Sequence, residues 1–102
     1  MITPNDDVLL AEKQFALQSK ALSHPIRIRI LSLLNTLEKQ EGCLNNDLVA
    51  TLGLAQSTVS EHLRILKNAE FISAEPMPPK VCYRLNKPAL ASFFNSSSLF
   101  DL

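Results

Sequence analysis

The stretch 48–72 constrains the fold more than any other part of the chain, because it predicts two short helices joined by a sharp turn. The first helix would end at Gly53, one of only two glycines, where a residue without a Cβ adopts a left-handed backbone without a clash. The second helix carries Val59, Leu63 and Leu66 at i, i+4 and i+7, which forms one apolar stripe. This spacing predicts a helix-turn-helix.

The opposite face of the second helix is polar at its start and cationic further on. A helix that enters the major groove of DNA has this pattern, because short hydroxyl and amide side chains reach base edges while later cations meet phosphates. Two short amphipathic helices also occur in many all-α domains, so the motif alone leaves both interpretations open. The residues predicted to contact DNA, with two from the hairpin described below, are Gln56, Ser57, Thr58, Ser60, Glu61, Arg64, Lys67, Lys80 and Arg84.

Length and charge limit what the chain can be. Its 102 residues, 46% of them hydrophobic, suit a single domain over 1–102. Ten Lys and Arg residues balance ten Asp and Glu residues, and a net charge of zero counts against nucleic-acid binding unless the charges are segregated. They are partly segregated, since Asp6, Asp7 and Glu12 precede a more basic second half. We therefore expect a modest and local electrostatic attraction to double-stranded DNA.

The expected compartment is the cytosol, because the sequence has no basic segment before an apolar run and no run near the roughly 18 apolar residues of a membrane span. Cys43 and Cys82 belong to no C-x-x-C pair. Isolated cysteines in a cytosolic chain are usually small buried hydrophobes. A redox-active pair remains an alternative, provided that the fold brings the two Cα atoms within about 7 Å.

The first and last helices predict a dimer. A helix over about 8–22, capped by Asp6 or Asp7, carries a broad apolar stripe, and Pro88 begins a short apolar helix near the end of the chain. Together they present more apolar surface than a monomer usually exposes to solvent, so we expect a homodimer. The predicted interface residues are Val8, Ala11, Phe15, Leu90, Phe93 and Phe94.

Between them, Pro25 begins a strongly apolar helix that we expect to form the centre of the core. Its missing N–H costs nothing at the first helical position, and Arg27 and Arg29 are expected on the polar side of this helix. His24 precedes the helix and is expected to cap or orient it. His62 lies beside the apolar stripe of the later helix, where an anchoring hydrogen bond is the expected role.

After the helix-turn-helix the apolar pattern changes to period two. It predicts strands over 71–75 and 80–85 joined by a proline-rich tip over 76–79, while 42–44 is a candidate edge strand. The predicted order is helix, helix, strand, helix, helix, strand, strand, helix. That order defines a winged helix-turn-helix, mainly α-helical with a small β-hairpin wing.

Three segments resemble the ArsR-like family of bacterial winged-helix repressors. They read ALSHPIRIRIL over 21–31, LAQSTVSEHLRIL over 54–66 and VCYRL over 81–85, and the resemblance in order and spacing extends over about 17–94. It implies a homodimer on a palindromic operator, with repression relieved by a metal or another signal. The DNA-binding core would cover about 24–87, and the dimerisation helices about 7–22 and 88–95.

The chain departs from that family at its metal sites. Metal-sensing members commonly place Cys-x-Cys just before an Asp-Leu pair, whereas Leu44, Asn45 and Asn46 precede Asp47 here and Cys43 is one residue out of register. The last helix offers no His, Asp or Glu over 90–94. Converging thiolates or imidazoles are therefore not expected, and no metal or other cofactor is predicted.

Two further departures concern DNA. Glu61 stands where many relatives carry a basic residue. Its carboxylate would repel phosphate unless it accepts a hydrogen bond from cytosine N4 or forms an ion pair with Arg64 at i+3. The wing tip lacks the glycine and arginines often found there, leaving Lys80 as its charge. Minor-groove contact by the wing is therefore left open.

Two other classes of function remain for comparison. An enzyme is disfavoured, because two glycines cannot build a phosphate loop and no nucleophile lies beside a plausible base in the sequence. A winged helix that binds only proteins is the closer alternative, favoured by the zero net charge and by Glu61. Gln56, Ser57, Ser60 and Arg64 on one helix face favour DNA.

Overall fold

The computed structural model of the chain describes residues 5–39, 48–95 and 99–100. These residues form a mainly helical fold with one antiparallel hairpin, which confirms the predicted winged helix-turn-helix. The candidate strand over 42–44 lies outside the described residues. The elements are α1 (Asp6–Ala21), α2 (Pro25–Lys39), α3 (Leu48–Leu52), α4 (Gln56–Asn68), β1 (Ile72–Met77), β2 (Lys80–Leu85) and α5 (Lys87–Phe94).

The core lies where α2, α4 and the hairpin meet. Ile30 and Leu34 of α2 pack there with Leu66 of α4 and with Phe71, which precedes β1, and all four are almost fully buried. Removing one such side chain from water contributes about 1.5–3 kcal/mol. The interpretation of α2 as the centre of the core is thus confirmed, and this packing holds α4 in one orientation.

The first helix begins two residues earlier than predicted. Asn5, rather than Asp6 or Asp7, is the cap, and its Oδ1 accepts from the backbone N–H of Val8 at 2.9 Å. Asp6 and Asp7 lie in the first turn, where their charges favour the positive end of the helix dipole. Most of α1 is exposed, and Ala21 at its end is its buried residue.

Among the described residues, no helix is both long enough and apolar enough to cross a membrane.

The turn between α3 and α4 uses Gly53 as predicted. Its φ is +66° and its N–H donates to the carbonyl of Val49 at 3.0 Å. After Leu54 and Ala55, α4 begins at Gln56. The turn of the helix-turn-helix therefore depends on a left-handed backbone conformation, which is energetically unfavourable for residues that have a Cβ.

A second left-handed residue ends α4. Glu70 has a φ of +65°, its N–H donates to the Lys67 carbonyl at 2.9 Å, and the Phe71 N–H donates to the Leu66 carbonyl at 3.1 Å. These two bonds form a Schellman motif with a glutamate at the position that usually holds glycine. Asn86 then donates from Nδ2 to the Glu70 carbonyl and from its N–H to the Phe71 carbonyl, both at 2.8 Å. The end of β2 is thereby tied to the end of α4.

The wing is longer than predicted. Strand β1 continues through Pro76 to Met77, which pairs with Lys80, so the tip shortens to Pro78 and Pro79. A proline is tolerated there because each strand of a two-stranded ribbon has an edge that faces solvent. The register pairs Ile72 with Leu85 at the base of the hairpin.

Candidate nucleic-acid interface

The second helix of the helix-turn-helix presents one face to the core and one to solvent. Val59, Leu63 and Leu66 are buried, as the apolar stripe predicts. The opposite side chains are therefore held outward by packing. All seven α4 residues of the predicted site are exposed, as are the two from β2: Gln56, Ser57, Thr58, Ser60, Glu61, Arg64, Lys67, Lys80 and Arg84.

Strand β2 approaches the start of α4. The half-buried Tyr83 lines a small cleft of about 60 Å³ together with Gln56 and Ser60. Sequence reasoning did not select Tyr83, because alternation along a strand indicates a face but not the helix opposite it. Its place beside two predicted base-contacting residues makes Tyr83 an addition to the candidate site.

Glu61 and Arg64 form a two-pronged ion pair on the exposed face of α4. Nη2 of Arg64 lies 2.6 Å from Oε1 of Glu61, and Nε lies 3.0 Å from Oε2. The hydrogen bond from Arg64 lowers the pKa of Glu61, and the same bond raises the pKa of Arg64. Pairing at i+3 was one of the two interpretations left open for Glu61, and the structure shows it.

The wing carries a second ion pair, with a single contact. Arg84 lies 3.2 Å from Oε2 of Glu75 across the hairpin, and Glu75 was not among the predicted site residues. Lys67 and Lys80, by contrast, form no ion pair within the described part of the chain. Of the four cations predicted to meet phosphate, two are therefore already partnered by a carboxylate.

Arg27 is not on the polar side of α2, where the sequence pattern assigned it, and that expectation was wrong. The side chain is 8% exposed. Nε donates to the carbonyl of Ala21 at 2.7 Å, Nη2 donates to that of Lys20 at 3.2 Å, and Nη1 lies 3.1 Å from Nδ1 of His62. The last carbonyls of a helix need donors from elsewhere, and Arg27 supplies them to α1.

The two histidines have the structural roles predicted for them. Nδ1 of His24 accepts from the N–H of Ile26 at 3.1 Å, which caps α2, and His62 is buried against Arg27. Their ring centroids are 4.5 Å apart. Burial lowers the pKa of His62, and the neighbouring His24 and Arg27 lower it further. A neutral imidazole whose Nδ1 accepts from Arg27 carries its proton on Nε2.

Cys82 is buried as predicted, with 1% of its surface exposed, but it is not a free thiol. It is joined in a disulfide, which corrects the expectation of a reduced hydrophobic residue. Cys43, the other cysteine of the chain, lies outside the described residues. Within the described ranges, no group of three His, Cys, Asp or Glu side chains is placed to hold a metal ion.

A glycine-closed helix-turn-helix, a hairpin wing and an outward polar helix face together define a winged-helix DNA-binding regulator. A family model described as "Bacterial regulatory protein, arsR family" matches residues 24–74. The transcriptional repressor SdpR of Bacillus subtilis (strain 168) is 34% identical over 76 residues, which are 74% of this chain and 80% of that protein. The chain belongs to the ArsR family of bacterial transcriptional regulators, a family of DNA-binding proteins rather than enzymes.

Solved structures share the same fold. A homodimeric winged helix-turn-helix DNA-binding domain of Mycobacterium bovis, a possible ArsR-family regulator, is similar with a TM-score of 0.74 and 23% identity, over 99% of this chain and 91% of that chain. An ArsR-like transcriptional regulator of Rhodococcus sp. RHA1 is similar with a TM-score of 0.69 and 19% identity, over 86% of this chain and 79% of that chain. At these identities the likeness concerns the fold.

Proposed function

We propose that this protein is a homodimeric repressor that binds a palindromic operator through α4 and works without a metal. The observation that carries the proposal is the exposed polar face at the start of α4, held outward by the buried stripe on its other side. The relative SdpR is named a transcriptional repressor, and the mycobacterial neighbour is described as homodimeric. Both descriptions support the corresponding part of the proposal.

The proposed readout divides the site by chemistry. Gln56, Ser57 and Ser60 contact base edges, because short side chains at the start of a recognition helix lie nearest to the bases. Lys67 and Lys80, free of carboxylate partners in the described structure, hold phosphates. Thr58, Arg64 and Arg84 also contact DNA phosphates, the two arginines after they release or share their carboxylate partners. Glu61 holds Arg64 and thereby limits the contact of that arginine with phosphate.

The proposed dimer forms through α1 and α5, which leave large apolar side chains in water. Leu10 of α1 is 68% exposed and Phe94 of α5 is 70% exposed, and Val8, two residues before Leu10, is exposed as well. Phe15 and Phe93 are engaged within the chain, since their rings stack at 5.1 Å. The surface available to a partner is therefore the outer side of this pair of helices, with Ala11 exposed and Leu90 half-buried.

Metal independence is proposed from the donor chemistry. Nδ1 of His24 accepts a hydrogen bond from the Ile26 N–H, and Nδ1 of His62 is hydrogen-bonded to Arg27. Neither nitrogen is therefore available to a metal ion. The sulfur of Cys82 is committed to a disulfide. A metal site would need three or four converging donors. Zinc should therefore leave DNA binding unchanged.

Selection from a random duplex pool with the purified protein tests the proposal directly. A bound fraction enriched in a palindrome, with half-sites about 10 base pairs apart, is the expected result. A salt series on the enriched duplex should then show affinity falling steeply with salt, by about 0.9 in the logarithmic slope for each phosphate contact. Absence of duplex binding even at low salt would instead identify a protein-interaction module.

A second candidate function is favoured by the disulfide at Cys82. Disulfides are rare in the reducing cytosol except where they sense oxidants, and Cys82 lies on the wing strand β2. In such a sensor two thiols would lose two electrons and two protons to one peroxide molecule, giving the disulfide and two molecules of water. The oxidised wing would then differ from the reduced wing in its reach toward DNA.

Operator affinity measured with dithiothreitol and with hydrogen peroxide separates this candidate from a constitutive repressor. A redox sensor should change affinity between the two conditions, and Cys82→Ser should remove the change. Equal affinities in both conditions would leave the disulfide a structural role. Zinc added to the reduced protein is the parallel test of metal independence, since a large zinc-dependent loss of binding would contradict it.

A further inference from the structure

We propose that Arg27 is a positioning residue which fixes the angle between α1 and α4, and thereby sets the operator half-site spacing that the dimer recognises. The inference rests on the proposed function, namely dimerisation through α1 and base readout by α4. It assigns to a buried arginine of α2 a part in DNA recognition, although the side chain does not reach the exposed face of α4.

The guanidinium lies where three helices converge. Nε and Nη2 bind the carbonyls of Ala21 and Lys20 at the end of α1, at 2.7 and 3.2 Å. These carbonyls carry the partial negative charge of the helix dipole, which offsets the buried positive charge in the absence of a paired carboxylate. No ion pair of Arg27 is found in the described structure.

The third nitrogen reaches α4. Nη1 lies 3.1 Å from Nδ1 of His62, which in sequence separates the exposed Glu61 from the buried Leu63. A guanidinium is planar and its nitrogens point in set directions. A single rigid group therefore links the end of α1 to the middle of α4.

A lysine at this position would supply charge without that geometry. Its ammonium is a point charge on a flexible stem, so it cannot reach two carbonyls of one helix and an imidazole of another in a fixed arrangement. The structure offers a matched control on the same helix, because Arg29 has the same side chain but is exposed. Arg27→Lys and Arg29→Lys therefore differ in geometry at the junction and not in charge.

The position of this junction connects dimerisation to readout. The exposed apolar residues of α1 are proposed to meet the partner subunit, whereas the exposed residues of α4 are proposed to meet bases. Adjacent base pairs are about 3.4 Å apart along the duplex. A small change in the angle between α1 and α4 is thus enough to move the two recognition helices of a dimer out of register with their half-sites.

The test measures discrimination between spacings rather than affinity alone. The enriched palindrome is prepared with its own spacing and with one base pair inserted or deleted between the half-sites. Dissociation constants for the three duplexes are measured by fluorescence anisotropy for each variant, together with the thermal unfolding midpoint. The wild type and Arg29→Lys should prefer the original spacing by about tenfold. Arg27→Lys should lose most of that preference.

A second pair of variants keeps the test decisive if Arg27→Lys does not fold. In His62→Asn the amide Oδ1 occupies the place of Nδ1 and can accept from Arg27, so the spacing preference should be retained. In His62→Leu the acceptor is lost and the preference should fall. A folded Arg27→Lys or His62→Leu protein that keeps the full tenfold preference overturns the positioning role. A wild-type protein that enriches no palindrome removes the proposed function itself, which is a different result.

Discussion

Glu61 and Arg64 hold each other in a two-pronged ion pair on the exposed face of the recognition helix, with N···O distances of 2.6 and 3.0 Å. The pair places a carboxylate among residues proposed to face phosphate, and it occupies an arginine that could otherwise bind one. On the wing, Nε of Arg84 lies 3.2 Å from Oε2 of Glu75 in a second ion pair with one contact. The chain has no net charge, and these two ion pairs also neutralise part of the positive charge on the surface proposed to bind DNA.

Removing the carboxylate should strengthen DNA binding. Glu61→Gln should lower the dissociation constant for the enriched duplex by roughly fivefold and raise the salt slope by about one unit, because Arg64 becomes available to a phosphate. Glu12→Gln, the same change on exposed α1, is the control and should have little effect. A Glu61→Gln protein that binds more weakly at one base pair only would show instead that Glu61 accepts from cytosine.

Base contacts and phosphate contacts should respond differently to truncation. Gln56→Ala should relax the sequence preference at one position of each half-site, at a cost of about 1–3 kcal/mol for the preferred base. Lys67→Ala should weaken binding to all duplexes alike and lower the salt slope by about one unit. Competition among duplexes with single base changes, repeated at several salt concentrations, distinguishes the two. If neither variant altered binding, the assigned face of α4 would be wrong.

The stability of the fold should fall in mild acid because of His62. Burial holds the pKa of its imidazole below the ordinary value of about 6.5, so the unfolded chain takes up a proton at a higher pH than the folded chain. The resulting stabilisation is complete above pH 6.5 and is lost as the pH falls through 6.5 toward the folded pKa. The ionisable groups that act on His62 are those of His24, Arg27 and Glu61, and of these Glu61 alone raises the pKa of His62.

Urea unfolding midpoints measured at a series of pH values from about 8 to 5 provide the test of this dependence. The wild-type midpoint should decline below pH 6.5, whereas His62→Asn should decline less, because an amide accepts from Arg27 without titrating. Parallel curves for the two proteins would place the acid sensitivity elsewhere.

Glycine should be the more stable residue at both left-handed positions on either side of α4, so Glu70→Gly and Gly53→Ala should change the free energy of unfolding in opposite directions. Glu70 adopts a φ of +65°, which costs a side chain with a Cβ about 1–2 kcal/mol. Glu70→Gly should therefore raise the free energy of unfolding by about 1 kcal/mol, and the hydrogen bond from Asn86 to the backbone carbonyl of residue 70 should remain. Gly53→Ala should lower it by about 1 kcal/mol through the backbone alone, because no atom lies within 4 Å of the added Cβ.

Local patterns were sufficient for the helices and the exposed face of α4, and they failed where distant segments meet. The stripe of Val59, Leu63 and Leu66 needs only a helical period, and it was predicted correctly. The burial of Arg27 depends on where the end of α1 lies, which no period along α2 encodes. The ion pair between Glu75 and Arg84 depends likewise on the hairpin register.

Pro76 and Cys82 also show that contacts between distant segments are not determined by local sequence patterns. The proline-rich pattern assigns Pro76 to the tip of the hairpin, yet a ribbon with two open edges accommodates it within β1. The general preference of isolated cysteines for buried positions was enough to predict that Cys82 is buried. Its disulfide depends on a separation between elements, which spacing in the sequence does not determine.

Two adjacent phenylalanines of α5 should separate folding from dimerisation. The Phe93 ring stacks on Phe15 at 5.1 Å and meets the edge of Phe71 at 5.8 Å, so Phe93→Ala should cost about 2–3 kcal/mol of stability. Phe94 is 70% exposed, and Phe94→Ser should change the stability of the isolated chain by less than about 1 kcal/mol.

In a dimer formed through α1 and α5, however, Phe94→Ser should weaken self-association strongly, because it places a hydroxyl in the apolar seam. Sedimentation equilibrium over a range of protein concentrations, paired with thermal unfolding, measures both quantities. A concentration-independent monomer for the wild type, or a Phe94→Ser protein that associates as tightly as the wild type, would remove Phe94 from the interface. Loss of the dimer in Phe94→Ser with an intact fold would place the interface on the outer face of α5, where Phe94 is exposed.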